Sequence, residues 1–223
     1  MIKKIPKQRI SGFQIKILAW YADNGRSFFW RQEGISHYDI IIAEVLLQRT
    51  KAETIENFYK NFIVRYPDWR AIVETPLDVI ELDLKPIGLY KQRAKRLKDL
   101  AIELDRIGGV IPSNREDLNK ISMFGQYIAN AVELQIFMRP KPLLDVNMAR
   151  VLERYFGPRH LSDIRYDPYL QKLSHQIVNN ENARQINWAI LDFAALICKS
   201  KNPKCTICSI SANCEYYKLF GIK

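Results

Sequence analysis

Four cysteines stand close together near the end of the chain, and the rest of the sequence contains none. Cys198, Cys205, Cys208 and Cys214 are separated by six, two and five residues. Thiolates at such short intervals can surround one compact inorganic centre, which a short stretch of backbone then wraps. Because the chain has no other cysteine, we expect these four to act together.

The spacing by itself leaves three interpretations of these cysteines open. Disulfides would need an oxidising compartment, and nothing in the sequence indicates export. A structural zinc site usually has two close pairs of ligands, and only Cys205 and Cys208 form such a pair. An iron–sulfur cluster takes four thiolates and tolerates wider gaps. The spacing therefore favours a cluster over zinc, and zinc over disulfides.

The chain is basic and has no recognisable export or membrane signal. Lys and Arg number 34 against 24 acidic residues among 223, a formal net charge of +10. Such an excess favours nucleic acid as a partner over a merely solubilising surface. Residues 1–9 lack the apolar core of a signal peptide, and the apolar run 40–47 is too short to cross a bilayer. We expect a soluble monomer in the cytoplasm, associated with the nucleoid and not with a membrane.

Helical periodicity dominates the sequence, and alternating strand patterns are scarce. The pattern predicts an all-α protein. The predicted helices cover residues 38–49, 51–65, 77–84, 90–106, 114–119, 126–137, 147–156, 166–179 and 183–197.

Two turns that contain glycine lead directly into predicted helices. Gly125 lies within 121–129, and Gly88 lies within 85–90, ahead of a helix rich in Lys and Arg. Free backbone amides at the start of a helix suit a phosphate, and basic side chains beside such a turn favour contact with a nucleic-acid backbone. The plain alternatives are an ordinary turn between helices and a solvated charged face.

Two carboxylates have the surroundings of catalytic groups. Glu44 has apolar neighbours, so a helix would place it in or beside the core, where desolvation raises the pKa of a carboxyl toward that of a general acid. Asp145 precedes a predicted helix, whose dipole would keep the carboxyl ionised. Such a pair fits the cleavage of a glycosidic bond. A hydrogen-bonded structural glutamate and a helix N-cap are the plain alternatives.

Taken together, these segments resemble one family. The cysteine spacing resembles the [4Fe–4S] loop of endonuclease III and its relatives in the helix-hairpin-helix DNA glycosylase superfamily. Residues 121–129 resemble their hairpin, and 143–150 resemble the stretch that contains their catalytic aspartate. Residues 29–31 and 43–50 resemble blocks shared by MutY-type adenine glycosylases and archaeal-type thymine mismatch glycosylases. The similarity covers about residues 28 to 217.

The resemblance implies two helical domains with a DNA-binding cleft between them. One would be the helical barrel over 28–137 with the helix-hairpin-helix motif, and the other would join 1–27 to 138–223 and carry a [4Fe–4S] cluster. The partner would be double-stranded DNA with a mismatched or damaged base. Such enzymes of base-excision repair bend the duplex, flip the target nucleotide into a pocket and cut its N-glycosidic bond.

The resemblance also assigns roles to individual residues. Asp145 would stabilise the oxocarbenium-like sugar or activate water, and Glu44 would contact or protonate the departing base. Leu89 would insert into the base stack as a wedge. The residues expected to contact DNA are Gln48, Gly88, Leu89, Lys91, Arg93, Met123, Gly125, Gln126, Lys199 and Lys201.

Tyr127 indicates the type of reaction. Bifunctional relatives have a lysine at this place, whose amine forms a Schiff base and leads to strand cleavage. A phenol cannot form that imine, so the expected reaction is hydrolysis that leaves an intact abasic strand. A packing aromatic is the plain alternative for Tyr127.

Two features favour thymine or uracil opposite guanine as the substrate. The chain ends nine residues after Cys214, which leaves no room for the domain with which MutY-type enzymes recognise 8-oxoguanine. It also has Leu89 where adenine glycosylases tend to have tyrosine. The alternative is an adenine glycosylase acting on adenine opposite guanine or 8-oxoguanine. A DNA-binding module without catalysis, or a structural zinc protein, would have little reason to keep Glu44, Tyr127 and Asp145 together.

The hairpin departs from the family pattern, which reads leucine-proline-glycine-hydrophobe-glycine. This chain has Ser122 and Met123 in the second and third places. A side chain at Met123 is expected to alter or weaken the phosphate contact.

Overall fold

The computed structural model describes residues 5–221, and within that range the chain forms twelve α-helices and no strand. The prediction of an all-α fold is confirmed. The helices are α1 (Lys7–Asn24), α2 (His37–Leu47), α3 (Ala52–Arg65), α4 (Trp69–Glu74), α5 (Leu77–Leu84), α6 (Tyr90–Arg106), α7 (Arg115–Leu118), α8 (Gln126–Gln135), α9 (Val146–Phe156), α10 (Pro168–Val178), α11 (Ala183–Leu196) and α12 (Glu215–Phe220). None of the helices in the described range is both long and apolar enough to cross a membrane.

All nine predicted helices occur, and their ends agree with the structure to within two residues. Helices α1, α4 and α12 are not among the predicted ones. In α1 the buried residues Ile10, Phe13 and Ile17 have helical spacing, but the helix begins with three polar residues and Pro6 provides no side-chain cap. Because neither the cap nor the first turn signals a helix, the apolar stripe is its main sequence signature.

The described residues form two compact units. The first takes the described parts of Met1–Arg26 and Glu133–Lys223, and the second is Ser27–Val132. The first unit therefore joins α1 to α9–α12, and the second contains α2–α7. The predicted domains, 28–137 and 1–27 with 138–223, remain a prediction about which parts of the chain fold independently.

The core of the first unit is formed by α1, α9, α10 and α11. Phe13 of α1 packs against Tyr155 and Phe156 of α9, with ring centroids 5.0 and 5.3 Å apart. The segment after α1 is held by a buried ion pair, in which Asp192 of α11 accepts hydrogen bonds from the backbone N–H and the guanidinium of Arg26 at 2.7–2.9 Å. The ring contacts hold α9, whose N-cap is Asp145, within the unit.

The second unit is organised around α2 and α6. Helix α2 is buried on nearly every side, with Ile40 through Leu46 all inaccessible to solvent or nearly so. Helix α6 is amphipathic and packs against α4 and α5. Lys98 on α6 points inward and donates hydrogen bonds to the carbonyls of Ile72 and Thr75 at the end of α4, at 3.0 and 2.5 Å. Part of the basic run 85–106 is thus used to stabilise the fold.

Candidate active site and nucleic-acid interface

Asp145 forms the N-cap of α9 in the first unit. Its Oδ1 accepts hydrogen bonds from the backbone N–H groups of Asn147 at 2.9 Å and Met148 at 2.8 Å. Its Oδ2 accepts a hydrogen bond from Nδ2 of Asn147 at 2.6 Å. The carboxylate is therefore held in one orientation by three donors, as the N-cap interpretation predicts.

The pKa of the half-buried Asp145 carboxyl is raised above its ordinary value by burial. The hydrogen bonds from Met148 and Asn147 and the charge of Arg150 act in the opposite direction. Desolvation is thus the larger influence on this pKa, and the expectation that the helix dipole keeps the carboxyl ionised stays a prediction. A carboxylate with a raised pKa is a better proton acceptor than an exposed aspartate.

Asn147 and Arg150 connect Asp145 to the cysteine segment. Oδ1 of Asn147 accepts a hydrogen bond from Nη1 of Arg150 at 3.1 Å. Arg150 in turn donates from Nε to the carbonyl of Cys198 at 2.9 Å and from Nη2 to the carbonyl of Ala194 at 3.1 Å. A continuous chain of hydrogen bonds therefore runs from the Asp145 carboxylate to the backbone of the first cysteine.

All four cysteines line one cavity of the first unit, and Arg154 lies in its wall. Cys198, Cys208 and Cys214 pack against the hydrophobic core. Burial raises the pKa of Cys208 to about 11, and the charges of the other three cysteines add to this effect. The four sulfur atoms are thus within electrostatic reach of one another. Among residues 5–221, no three His, Cys, Asp or Glu side chains are placed to hold a single metal ion.

Arg154 holds the segment that follows Cys198. Its Nη1 donates to the carbonyl of Lys199 at 2.7 Å and lies 3.4 Å from the Cys198 sulfur. The guanidinium carbon lies 4.7 Å from the centre of the Tyr216 ring. The side chains of Lys199 and Lys201 are exposed, so they are accessible to a polyanion.

Glu44 is buried in α2 of the second unit, with 5% of its surface exposed. Its apolar neighbours predict this burial. Tyr127 lies half-buried in the first turn of α8. The catalytic roles assigned to these two residues stay predictions.

The hairpin turn before α8 uses several of its own amides. The Phe124 N–H donates to the carbonyl of Ile121 at 3.1 Å, and the Gly125 N–H donates to the carbonyl of Met123 at 2.8 Å. The predicted phosphate contact therefore cannot use the Gly125 amide while this bond is made. A Cβ built on Gly125 would meet no other atom within 4 Å. The packing of the protein itself therefore does not require glycine at this position.

Glu103 of α6 supports the unusual residue at the second place of the hairpin. Its Oε2 accepts a hydrogen bond from the backbone N–H of Ser122 at 2.6 Å. Proline, which the family pattern has in this place, carries no N–H. Serine adds a donor that must be satisfied, and Glu103 satisfies it.

The second turn reverses the chain just before α6. Gly88 and Leu89 both adopt left-handed backbone conformations, with φ of 73° and 52°. The Leu89 side chain is 51% exposed, and its carbonyl accepts the first hydrogen bond of α6 from Arg93 at 2.9 Å. Lys91, in the first turn of α6, is exposed. The turn thus presents an apolar side chain and a cation to solvent.

Arg93 differs from the other residues predicted to contact DNA because it is buried. Its guanidinium donates hydrogen bonds to the carbonyls of Leu46 and Gln48 at 2.8 and 3.2 Å, and to Oγ1 of Thr50 at 2.9 Å. It therefore caps the end of α2, and its guanidinium is engaged by hydrogen bonds within the protein. The amphipathic pattern of α6 could have indicated this, because position 93 lies on the same face as the buried Leu97 and Leu100.

Four of the predicted residues line one open cavity of the second unit, of about 180 Å³. They are Gln48, Leu89, Arg93 and Met123, and Gln92 and Arg96 also line the cavity. This convergence is not apparent from the sequence, because the three segments are far apart along the chain.

Four residues with contacts at the site were not among the predicted ones: Asn147, Arg150, Arg154 and Glu103. The first two were detectable in principle. Asn147 and Arg150 are three residues apart in the predicted helix that follows Asp145, so they share a face of α9. Glu103 could not be found, because its contact depends on the packing of α6 beside the hairpin.

Comparisons with known proteins identify the family. Residues 42–175, more than half of the chain, match the family model described as HhH-GPD superfamily base excision DNA repair protein. The chain therefore belongs to the HhH-GPD superfamily, as the motifs predict.

Individual relatives cover most of the chain. The thymine/uracil-DNA glycosylase of Methanothermobacter thermautotrophicus is 35% identical over 208 residues, which is 92% of this chain and 93% of that protein. The adenine DNA glycosylase of Buchnera aphidicola subsp. Schizaphis graminum is 31% identical over 210 residues, 92% of this chain and 60% of that protein. The structure of a thermostable thymine-DNA glycosylase matches with a TM-score of 0.86 and 34% identity, over 95% of this chain and 98% of that one.

Proposed function

We propose that this protein is a DNA glycosylase that removes thymine or uracil opposite guanine from double-stranded DNA. The thymine/uracil-DNA glycosylase at 35% identity supports this substrate, because the similarity extends over nearly the full length of both chains. The similarity to an adenine DNA glycosylase covers only 60% of that longer protein. Excision of adenine opposite guanine or 8-oxoguanine is therefore the second candidate.

The observation that carries the proposal is the Asp145 carboxylate. It is half-buried, has a raised pKa and is held by three hydrogen-bond donors. In the proposed reaction the bond between C1′ and the base nitrogen breaks, and its electron pair leaves with the base. Asp145 stabilises the positive charge that develops on the sugar, and water adds to C1′ as its proton passes to the carboxylate.

The departing base needs a hydrogen bond or a proton, and Glu44 is the proposed donor. A carboxyl buried among aliphatic side chains favours its neutral form, which is the form that can donate. Its 5% exposure supports this assignment. Glu44→Gln keeps a donor of the same shape but cannot transfer a proton. A fall in the excision rate in Glu44→Gln, with unchanged DNA affinity, is the expected result.

We also propose that the protein does not cleave the DNA strand, because it has Tyr127 where a lysine would be needed. The phenol of Tyr127 cannot form the imine that β-elimination requires. DNA strands should therefore break at the excision site only after alkali. Breakage without alkali, or a covalent adduct trapped by borohydride, would contradict this part of the proposal.

The four cysteines are proposed to hold a [4Fe–4S] cluster. The cavity that all four line, and the electrostatic influence of three thiols on the fourth, fit a set of four thiolate ligands. The cluster would tie residues 198–214 together and present Lys199 and Lys201 to the DNA backbone. Purified protein should be brown and contain iron and sulfide. Zinc without iron would support the structural zinc site instead.

The contacts proposed for the DNA backbone are the hairpin with Gly125 and Gln126, the turn with Gly88, and the exposed Lys91. Gly125 supports this assignment because the protein leaves open space where its Cβ would be. The amide of Gly125 is used within the turn, so the first turn of α8 is the proposed source of donors to a phosphate.

The test is a set of duplexes that carry G·T, G·U, A·G or A·8-oxoguanine at one position, incubated with excess protein and then treated with alkali. Breaks at T or U opposite G are the expected outcome, and Asp145→Asn should abolish them while it leaves DNA binding in place. Breaks only at adenine would establish the second candidate. No excision from any duplex would contradict both.

A further inference from the structure

Three residues with strained backbones surround the cavity that contains Gln48. Arg49, Leu89 and Met123 have φ of 59°, 52° and 70°, a left-handed region that residues other than glycine rarely adopt. In residues 5–221 only two further residues other than glycine, Met138 and Asn202, have positive φ, and both belong to the first unit. Strain of this kind persists where the surrounding structure enforces it, and it concentrates at functional sites.

The walls of this cavity combine cations, amides and apolar groups. Arg49 and Arg96 are exposed, and within the described residues neither has an ion pair. Gln92 and Gln48 add side-chain amides, and the exposed Leu89 adds an apolar surface. Such a set suits a planar group with hydrogen-bond acceptors along its edge and an apolar face.

The backbone around the cavity is held in place from inside. Arg93, which also lines the cavity, bonds to the carbonyls of Leu46 and Gln48 and to the hydroxyl of Thr50, which fixes the segment that carries Arg49. Glu103 bonds to the N–H of Ser122, next to Met123. Hydrogen bonds within the protein thus hold the segments that carry Arg49 and Met123.

The proposed reaction requires a second recognition event. Thymine is a normal base of DNA, so the enzyme cannot identify a mismatch from the excised base alone. The guanine opposite the thymine is what distinguishes the mismatch from a normal pair. Once thymine leaves the stack, that guanine has lost its partner. Its O6 and N7 form the acceptor pair that an arginine can bind with two hydrogen bonds.

We propose that Met123 is a specificity-determining residue that contacts the guanine opposite the excised base, in the cavity that also contains Arg49 and Arg96. The proposal rests on the proposed function for the identity of the substrate. In it, Met123 adopts the left-handed conformation so that its side chain enters the cavity and packs on one face of the guanine. The hairpin thereby takes part in reading the opposite strand, in addition to any contact with a phosphate.

The test measures binding and does not depend on catalysis. Duplexes carry a tetrahydrofuran abasic analogue opposite G, A, C or T, and the dissociation constant for each is determined with the full-length protein. We expect the wild type to favour guanine by about tenfold, the order that one bidentate contact provides. In Met123→Gly the preference should disappear, because the guanine loses the apolar face that holds it in place for the arginine contact. Met123→Leu should keep the preference, because leucine retains an apolar side chain of similar size.

Met138→Gly is the matched control. Position 138 is also a methionine, with a φ of 55°, but it belongs to the first unit and does not line this cavity. Both glycine variants should raise the melting temperature, because glycine adopts positive φ without strain. Only Met123→Gly should lose the preference for guanine. Equal tightening of all four duplexes by Met123→Gly, with the preference intact, would overturn the proposal.

The two proposals fail in different ways. If the protein excises T or U opposite G but binds the four analogues equally, the role of Met123 is wrong and the proposed function stands. The opposite result is also possible: the protein binds the guanine duplex most tightly, Met123→Gly abolishes this preference, and neither T nor U is excised. In that case the recognition of guanine by Met123 stands and the proposed function fails.

Discussion

Arg150 donates a hydrogen bond from Nε to the main-chain carbonyl of Cys198 at 2.9 Å, while its Nη1 bonds to the side chain that orients Asp145. One guanidinium thus joins the start of the cysteine segment to the proposed catalytic carboxylate. Its planar fork makes these bonds in fixed directions, which a lysine cannot reproduce.

Arg150→Lys should therefore slow base excision while it preserves DNA affinity. Loss of the fork allows Asn147 and the Asp145 carboxylate to move, and a displacement of about 1 Å can lower a rate by about 100-fold. The measurement is the single-turnover rate beside the dissociation constant. Arg154→Lys is the control, because Arg154 holds the same cysteine segment without a bond to Asn147. An equal loss in both variants would show that only the cysteine segment matters.

Asn147→Ala should shift the pH dependence of excision to higher pH. The Asn147 side chain donates a hydrogen bond to the Asp145 carboxylate, which lowers the pKa of that carboxyl against the raising effect of burial. Without this bond the pKa rises further, so the ionised form is lost at a higher pH. Single-turnover rates from acid to neutral pH should show the acid limb at a higher pH than an ordinary aspartate would give in the wild type, and at a higher pH still in the variant. An unchanged limb would remove Asp145 from its assigned role.

The sequence predicted most helices because their apolar positions and their Pro and Gly boundaries are local signals. The burial of Glu44 could also be predicted from a local signal, because its neighbours in the sequence are aliphatic. Asp145 was recognisable as an N-cap because it precedes a predicted helix. Its pKa was not predictable, because desolvation depends on packing from elements distant in the chain.

Arg93 shows the opposite case. Its place in a basic run suggested DNA contact, but the hydrogen bonds that define its role reach residues more than forty positions away. The same limit applies to Met123, whose backbone conformation and position beside Leu89 follow from the packing of the hairpin. Local patterns identified these segments, and long-range packing determined what each side chain does.

Asp145→Asn should make the protein more stable at neutral pH. A carboxyl with a pKa raised by folding favours the folded state when protonated, and its ionisation destabilises that state as pH rises above the unfolded pKa. Asparagine carries no charge, so it avoids this desolvation cost. Melting temperatures at several pH values should show an advantage for the variant near pH 7 that shrinks as the pH falls. Excision should drop by about 10²–10⁴-fold, the usual contribution of such a group.

Gly125→Ala should weaken DNA binding without loss of stability. The added Cβ meets no protein atom within 4 Å, and the backbone of Gly125 is not left-handed, so the fold should tolerate or gain about 0.4–1 kcal/mol from the change. A phosphate held against this turn would be displaced, and a lost hydrogen bond to a charged group costs about 1.5–3 kcal/mol. Gly12→Ala in α1 is the matched control, since its Cβ also meets nothing within 4 Å. Should both variants bind duplex DNA as tightly as the wild type, the hairpin does not hold a phosphate at Gly125, and the open space beside it needs another explanation.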